Sequence, residues 1–236
     1  MLTVGQKLNQ GMIFVLIDSI NLTEMKRLLI FFLFLFTSTL TYSQQTISTE
    51  NLLKNWPIEQ LSNASVDNDV VFMSQDEKDV VFICNLARVN GPLFISTILE
   101  PYMDSENIKS DRYVKSLIKT LEQQKSFPAL MTDNLLYQLA YSHAISSGQS
   151  GTTGHDGFNS RFNKAKDYYW TFAENCYYGR NIPIEIALGL LIDKGETGLG
   201  HRKNILDQKL GYVGVSIQPH RSVYTYNCVM EFGGIR

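Results

Sequence analysis

The stretch GHRKNIL, residues 200–206, is the strongest local signal in this sequence, and a glycine-rich run, GETGLG at residues 195–200, leads into it. It places His201 and Arg202 between glycines and the apolar pair Ile205 and Leu206. Polar groups in such a setting indicate a polar cluster at the edge of a core. The chain has only four histidines, so few other groups of this type can share a site with His201.

Two upstream segments carry candidate partners for His201. His155 lies in the glycine-framed loop GHDGF at residues 154–158, and Glu174 ends an aromatic run in FAEN at residues 172–175. Two imidazoles and a carboxylate suit a divalent metal such as zinc with an open water position. Without metal they suit an acid and base pair, or they simply hydrogen-bond neighbouring loops. We expect the three segments to converge on one cleft, and these roles stay open.

Composition indicates an ordinary globular protein. The 236 residues are 44% hydrophobic and 19% charged, which are globular values, and the length predicts one domain or a little more. The net charge of −2 gives no basic excess. We therefore expect neither nucleic acid nor an anionic membrane as a main partner.

The N-terminal region predicts export. Met25, Lys26 and Arg27 precede an apolar run at residues 28–40, and small residues follow before Gln44. This order is typical of a secretory signal peptide at residues 25–43, whereas a retained membrane anchor usually needs about 20 apolar residues. We expect a secreted or cell-envelope protein with no stable membrane span after cleavage. Residues 1–24 are interpreted as an upstream extension, with translation beginning at Met25.

The three cysteines do not form a disulfide scaffold. An odd number leaves at least one thiol free or shared between chains. If two of them pair, the strand-like segments around Cys176 and Cys228 favour that pair. Cys84 lies on an apolar helix face and is expected to be a buried small hydrophobe.

The order of elements predicts an α+β domain, with helices first and a small antiparallel sheet last. After a lead-in at residues 44–74, a capping box from Ser74 to Glu77 predicts a helix start, and Gly91 with Pro92 should stop or re-aim it. His143, inside a later helix, is expected to bond a neighbouring carbonyl. The remaining predictions are helices at 104–127, 132–148, 158–168 and 183–193, a turn at 200–206, and strands at 169–178, 213–218 and 223–232.

Taken together and in order, the motifs resemble the CAP superfamily, and most closely its bacterial SCP-like branch. The motifs are GHDGF followed by Arg161, then AEN followed by Gly179, then GHRKNIL, VGVSI and the terminal EFGG. The superfamily groups cysteine-rich secretory proteins, venom allergens and plant pathogenesis-related proteins. The resemblance covers about residues 75–236, which we assign as the domain. It implies an α-β-α sandwich, with a small antiparallel sheet between helical layers.

The resemblance also implies a cleft lined by two histidines and two acidic residues. The histidines fall on His155 and His201 and the first acid on Glu174; for the second acid, Asp193 matches better than Glu196. Some relatives bind zinc through the two histidines, so His155 and His201 are the metal candidates. Arg202 and Asn204 are expected to brace the turn rather than touch ligand, because an arginine fork and an amide suit loop carbonyls and carboxylates.

Members of the family are described as binding sterols, fatty acids or other apolar ligands, and few are enzymes. The resemblance therefore implies a secreted binding or interaction module. The alternatives are a metal-assisted hydrolase acting on peptide or cell-envelope polymer, and a domain with structural or host-contact roles.

Overall fold

The computed structural model describes residues 53–235, which lie within one compact unit, Glu50–Arg236. The predicted upstream extension, the signal peptide and the first part of the lead-in, residues 44–52, lie outside the described residues. Within residues 53–235, no helix is both long and apolar enough to span a membrane.

Nine α-helices and four strands are assigned within residues 53–235, and a five-residue π-helix, Ile95–Leu99, joins α3 to α4. Because the π-helix continues the chain from one helix into the next, residues 91–105 form one continuous helical segment. The helices and strands are α1 Ile58–Ala64, α2 Gln75–Val89, α3 Gly91–Phe94, α4 Glu100–Ser105, α5 Arg112–Gln123, β1 Met131–Thr132, α6 Asn134–Ser150, α7 Phe158–Ala165, β2 Thr171–Gly179, α8 Pro183–Ile192, α9 Gly200–Ile205, β3 Tyr212–Pro219 and β4 Tyr226–Gly234.

The four strands form one sheet in the order β1-β3-β4-β2. β4 lies between β3 and β2 and is antiparallel to both, which confirms the predicted antiparallel sheet. The two-residue strand β1 adds a parallel edge, with Met131 opposite Tyr212, that the sequence pattern did not reveal.

Helices cover both faces of this sheet, which confirms the predicted α-β-α layers. On one face, Ala140 and Ala144 of α6 pack against Cys176 and Val229. On the other face, side chains of α2 and α8 share the main core with alternate residues of β3 and β4, such as Val215. Burial on both faces explains why β4 is almost entirely buried while its two neighbours each have a more exposed end.

Local sequence signals placed several helix ends correctly. The Ser74 side chain accepts from the Glu77 backbone N–H while the Glu77 carboxylate accepts from the Ser74 N–H at 2.7 Å, as the capping box predicts. Asp133 caps α6 by accepting from Leu136 N at 2.9 Å. α8 begins at Pro183, the first-turn position predicted for it.

Several other boundaries were wrong. The predicted helix at 104–127 is two helices, because Asn107 adopts a left-handed φ of 51° and Asp111 then caps a new start at α5. α6 runs past Gly148 and ends at Gly151, whose φ of 73° suits the left-handed cap. The GHRKNIL segment is a short helix, α9, rather than a turn.

The close fit of α6 on the sheet depends on two glycines. A Cβ at Gly214 of β3 would lie 2.0 Å from Tyr137 N, and a Cβ at Gly148 of α6 would lie 2.2 Å from Pro219 O. Both clashes involve backbone atoms that cannot rotate away. Glycine at these positions therefore lets α6 lie directly on β3.

No disulfide joins Cys176 and Cys228, the pair favoured if two cysteines were to bond, since the three cysteines are free and buried. Cys176 lies opposite Val229, and Cys228 lies opposite Tyr177. Because side chains alternate along a strand, the two thiols point to opposite faces of the sheet. Cys84 is fully buried in the core, as expected, and burial raises its thiol pKa to about 12.

A buried arginine holds the segment that follows α9. Arg88 of α2 is fully buried and donates to the carbonyls of Pro128, Ile205, Asp207 and Leu210 at 2.7–3.0 Å. Burial lowers its pKa to about 10, still well above neutral, so the side chain remains a cation. Two of these carbonyls lie just past the end of α9, so Arg88 fixes the C-terminal end of the GHRKNIL segment.

Candidate functional site

One cleft of about 530 Å³ contains the predicted histidines. His155 and His201 line it together with Asp193 and Glu196. The His155 side chain is 50% exposed and that of His201 is 23% exposed, whereas the side chain of Glu174 is only 1% exposed and lies behind His155. The fold therefore brings the predicted residues together, with the histidines as the accessible groups.

The first histidine is held by β2. His155 Nδ1 lies 2.7 Å from Glu174 Oε1, and the loop that carries it is tied to the same strand by a 2.7 Å bond from Gly154 N to the Tyr178 hydroxyl. The hydrogen bond to Glu174 raises the pKa of His155, with burial acting against it. An Nδ1–H that donates to a carboxylate leaves Nε2 as the nitrogen available to a ligand.

Glu174 belongs to a larger buried network. Arg161 of α7 donates to Glu174 Oε2 through one guanidinium nitrogen and to Glu231 Oε1 at 2.6 Å through Nε. Glu174 and Glu231 are directly opposite each other in the β2–β4 register. A third nitrogen of Arg161 donates to Asp156 O at 2.7 Å, so this one side chain joins α7, the His155 loop and two strands.

The two facing carboxyl groups have pKa values shifted in opposite directions. Burial and the neighbouring Glu174 charge raise the pKa of Glu231, and its Oε2 has no hydrogen-bond partner within the described chain. Burial would also raise the pKa of Glu174, but the hydrogen bond from His155 and the Arg161 charge lower it. These directions favour a proton on Glu231 and a negative charge on Glu174.

The second histidine is held by a helix end. Asp193 follows α8 in a left-handed conformation with φ of 57°, and its Oδ1 lies 2.8 Å from His201 Nδ1. Its Oδ2 accepts from the backbone N–H of Arg202 at 3.2 Å. Glu196 also lines the cleft, but its side chain is exposed. Asp193, the better match in the sequence, is thus the acid that supports His201.

Arg202 points away from the cleft into the protein. It is 3% exposed and donates to the carbonyls of Leu191, Ile192 and Tyr113 at 2.7–3.0 Å and to the Ser116 hydroxyl at 2.9 Å. Tyr113 and Ser116 belong to α5, the long segment between the first helices and α6. Arg202 therefore fastens α9 to both α8 and α5.

Asparagine side chains join α9 to β2. Asn204 Nδ2 donates to Glu174 O at 3.3 Å and to Asn175 Oδ1 at 2.8 Å, and Asn175 Nδ2 donates to His201 O at 3.0 Å. These bonds connect the two histidine–carboxylate pairs through backbone groups. Asn204 thus contacts the elements that carry the cleft residues.

Three donor atoms, one of them from the cleft-lining Cys176, form a second group that could hold a metal ion. A nitrogen of His143, a carboxylate oxygen of Glu174 and the sulfur of Cys176 lie within 4.8 Å of one another. These donors are already engaged: His143 Nε2 lies 2.9 Å from Gly154 O, the carbonyl bond predicted for a structural histidine, and Glu174 bonds Arg161 and His155.

Cys176 does not have the setting of a nucleophile, although its sulfur lies 3.7 Å from His155 Nδ1. Burial and the Glu174 charge raise the pKa of its thiol, and the facing imidazole nitrogen is bonded to Glu174. A reactive cysteine needs the opposite, an environment that favours the thiolate.

Roles in the cleft for Arg161, Glu231, Cys176 and Tyr178 were not predicted from the sequence. A signal for Glu231 was present, because it is the only charged residue in the strand Tyr226–Gly234. A lone acid in a fully buried strand needs a buried partner. The identity of that partner, Arg161, depends on the fold.

Comparison with known proteins gives a family match over most of the chain. Residues 83–232 match the profile of the CAP family, described as the cysteine-rich secretory protein family. No curated protein matches the chain.

Three solved structures are similar over 52% of this chain. An extracellular SCP-domain protein from Bacillus anthracis is 20% identical with a TM-score of 0.38, and a cysteine-rich secretory protein from Staphylococcus aureus is 18% identical with a TM-score of 0.34. The chain covers 39% of each of these two proteins. An outer surface protein from Borrelia burgdorferi is 18% identical with a TM-score of 0.40, and 90% of it is covered.

Proposed function

Because this chain belongs to the cysteine-rich secretory protein family, we propose that it is an exported binding module whose cleft holds a divalent metal ion, Zn²⁺, or the polar end of a small apolar ligand. One observation carries the proposal. His155 and His201 line the same cleft, and each has its Nδ1 bonded to a buried carboxylate.

The donor chemistry fits zinc. Imidazole is a common zinc ligand, and a carboxylate bonded to the other ring nitrogen fixes the ring and strengthens it as a donor. His155 and His201 would hold the ion through Nε2, with Glu174 and Asp193 orienting the rings. Bound zinc supplies Lewis acidity and a positive charge. The cleft also has an apolar side, formed by Tyr177, Tyr178, Leu190 and Tyr224, which suits the body of a sterol, fatty acid or other apolar ligand.

Calorimetric titration with Zn²⁺ tests the metal part of this function. The wild type should take up zinc, and the His155→Ala, His201→Ala double variant should not. Lys194→Gln is the control, because Lys194 lines the same cleft and an ammonium group is not a zinc ligand. No uptake by the wild type, or equal uptake by the double variant, would exclude zinc binding at this pair.

A metal-assisted hydrolase acting on peptide or cell-envelope polymer is the second candidate. The observation that favours it is the exposed carboxylate of Glu196 in the cleft wall, since Glu174 and Asp193 are each bonded to a histidine. A hydrolase would turn over such a substrate and lose turnover in Glu196→Gln. A binding module would retain a labelled sterol or fatty acid without turnover.

A further inference from the structure

Cys176 differs from the other two cysteines in its surroundings. Cys84 and Cys228 are fully buried in the main hydrophobic core, whereas Cys176 lines the cleft. The sulfur of Cys176 lies 3.6 Å from Glu174 Oε1 and 3.5 Å from Gly154 O. A cysteine that packs as a small hydrophobe needs no such neighbours. This sulfur therefore lies among atoms that can share a cation with it.

The donor atoms around this sulfur are spaced much as in a tetrahedral metal site. His143 Nε2 lies 3.9 Å from Glu174 Oε1, the Cys176 sulfur lies 3.6 Å from the same oxygen, and all three atoms lie within 4.8 Å of one another. Ligands bound at the bond lengths of zinc, about 2.0–2.3 Å, lie about 3.3–3.6 Å apart in a tetrahedron. Small movements of the side chains therefore bring these three donors, called here the inner donor group, around one ion.

The chemistry of the inner donor group selects the kind of metal. A thiolate and an imidazole favour Zn²⁺ over Mg²⁺ and Ca²⁺, because the last two ions prefer oxygen ligands throughout. The charges also balance, since the Cys176 thiolate and the Glu174 carboxylate together neutralise a divalent ion. On binding, the ion takes the place of the thiol proton, which leaves to solvent.

The bonds that these groups make in the structure can be kept or exchanged. Glu174 bonds Arg161 through Oε2, which leaves Oε1 for the ion, and Oε1 can still accept from His155 Nδ1. His143 Nε2 donates to Gly154 O at 2.9 Å, so metal binding through this nitrogen moves the ring proton to Nδ1. Gly154 O then loses this donor and is placed to be the fourth ligand, 3.5 Å from the sulfur.

We propose that His143, Glu174 and Cys176 hold a zinc ion at an inner site, separate from the pair of His155 and His201. The inner site goes beyond the function proposed above, because it uses neither His155 nor His201 as a ligand. Its ligands belong to α6, to β2 and to the loop at Gly154. The inner ion therefore fixes the loop that carries His155 into the cleft wall.

Titration with Co²⁺, which replaces Zn²⁺ in tetrahedral sites and absorbs light, tests the inner site. A thiolate bound to Co²⁺ gives a charge-transfer band in the near ultraviolet, which imidazole and carboxylate ligands do not give. The wild type should show this band, excess Zn²⁺ should abolish it, and excess Mg²⁺ should not. Cys176→Ala should remove the band, and His143→Gln should weaken cobalt binding at least about tenfold. Cys228→Ala is the matched control and should keep the band, because that thiol points to the opposite face of the sheet.

His201→Ala separates the inner site from the proposed metal function, since it breaks the cleft pair and leaves every inner ligand in place. The band should persist in this variant, and native mass spectrometry should show a retained zinc ion. The double variant of His155 and His201 cannot make this separation. His155 also bonds the Glu174 oxygen of the inner donor group, and loss of such an outer-shell bond typically weakens metal binding at least about tenfold.

The outcomes are distinct. Absence of the band in the wild type, or a band that survives Cys176→Ala, overturns the inner site. Cobalt uptake without the band that disappears in His201→Ala also overturns it, while supporting the cleft pair. A band that persists in His201→Ala and disappears in Cys176→Ala supports the inner site, even if the cleft pair binds no zinc. Circular dichroism of each variant shows that a loss of the band is not a loss of folding.

Discussion

In both histidine–carboxylate pairs of the cleft, the imidazole Nδ1 is bonded to a buried carboxylate, but different groups hold the two carboxylates in place. His155 and Glu174 depend on two other buried side chains, namely the Arg161 cation and the Glu231 carboxyl group that Arg161 also bonds. His201 and Asp193 depend on a helix end and on Arg202, whose acceptors are three carbonyls and a hydroxyl. The carboxyl group of Glu231 can titrate, whereas the carbonyls and the hydroxyl that accept from Arg202 cannot. We therefore expect the support of the first pair to respond to pH and to charge substitutions, and the support of the second pair to respond mainly to the loss of hydrogen bonds.

The largest loss of stability should follow from substitution of Arg161, the cation that bonds Glu174 and Glu231. Arg161→Met leaves the Glu174 charge buried without its main partner, so the free energy of unfolding should fall by about 3–5 kcal/mol. Urea denaturation measures it. The control is Arg180→Met, because Arg180 forms an exposed pair with Glu185 and its loss should cost no more than about 1 kcal/mol. Equal losses in the two variants would contradict the buried network.

Substitution of Arg202, which supports the pair of His201 and Asp193, should lower the free energy of unfolding by a smaller amount. Arg202→Met leaves buried carbonyls without donors, which should lower the free energy of unfolding by about 2–3 kcal/mol. Because none of its acceptors titrates, most of the loss should persist at both pH 5 and pH 8 in urea denaturation, and only the part that comes from the Arg202 charge beside Asp193 should change. A loss that changes strongly with pH would show that the second pair also depends on charge.

A smaller effect should appear in the titration of His155. Its hydrogen bond to Glu174 raises its pKa, so Glu174→Gln should lower that pKa toward the ordinary histidine value near 6.5. In the wild type this pair contributes stability that is lost as the pH rises through the folded pKa of His155, and also as the pH falls through the lowered pKa of Glu174. NMR titration of the imidazole protons measures the shift. Asp193→Asn is the control and should leave His155 unchanged.

The smallest effect should follow from Glu231→Gln. If Glu231 holds a proton, the amide replaces a neutral acid of the same shape, and the free energy of unfolding should change by about 1 kcal/mol or less. Glu231→Leu, which removes the polar group from Arg161, should cost more. A loss in Glu231→Gln as large as that in Arg161→Met would mean that Glu231 is ionised.

Much of the fold was readable from short stretches of sequence. Three helix starts depend only on residues within the first helical turn, so they can be predicted without knowledge of the rest of the fold. They are the capping box at Ser74 and Glu77, the Asp133 cap and Pro183. A wrong helix boundary also had a local cause. The break at Asn107 depends on a backbone conformation that asparagine permits but does not require.

The site was predicted less completely because its bonds cross the fold. His155, Glu174, Asp193 and His201 came from motif order, but their pairing as His155 with Glu174 and His201 with Asp193 needed the strand and helix-end geometry. The metal and ligand assignments remain predictions.

Helix caps and strand alternation are properties of neighbouring residues, so they were enough to predict an α+β domain, and the motif order, through the family resemblance, added its α-β-α layers. Which carboxyl groups face each other and which faces the cysteines take depend on the β2–β4 register, which no local pattern contains. The place of Tyr224 in the cleft wall likewise depends on contacts between distant segments, such as the bond from Thr225 Oγ1 to Gly179 O of β2. Long-range contacts of this kind have no counterpart in local sequence.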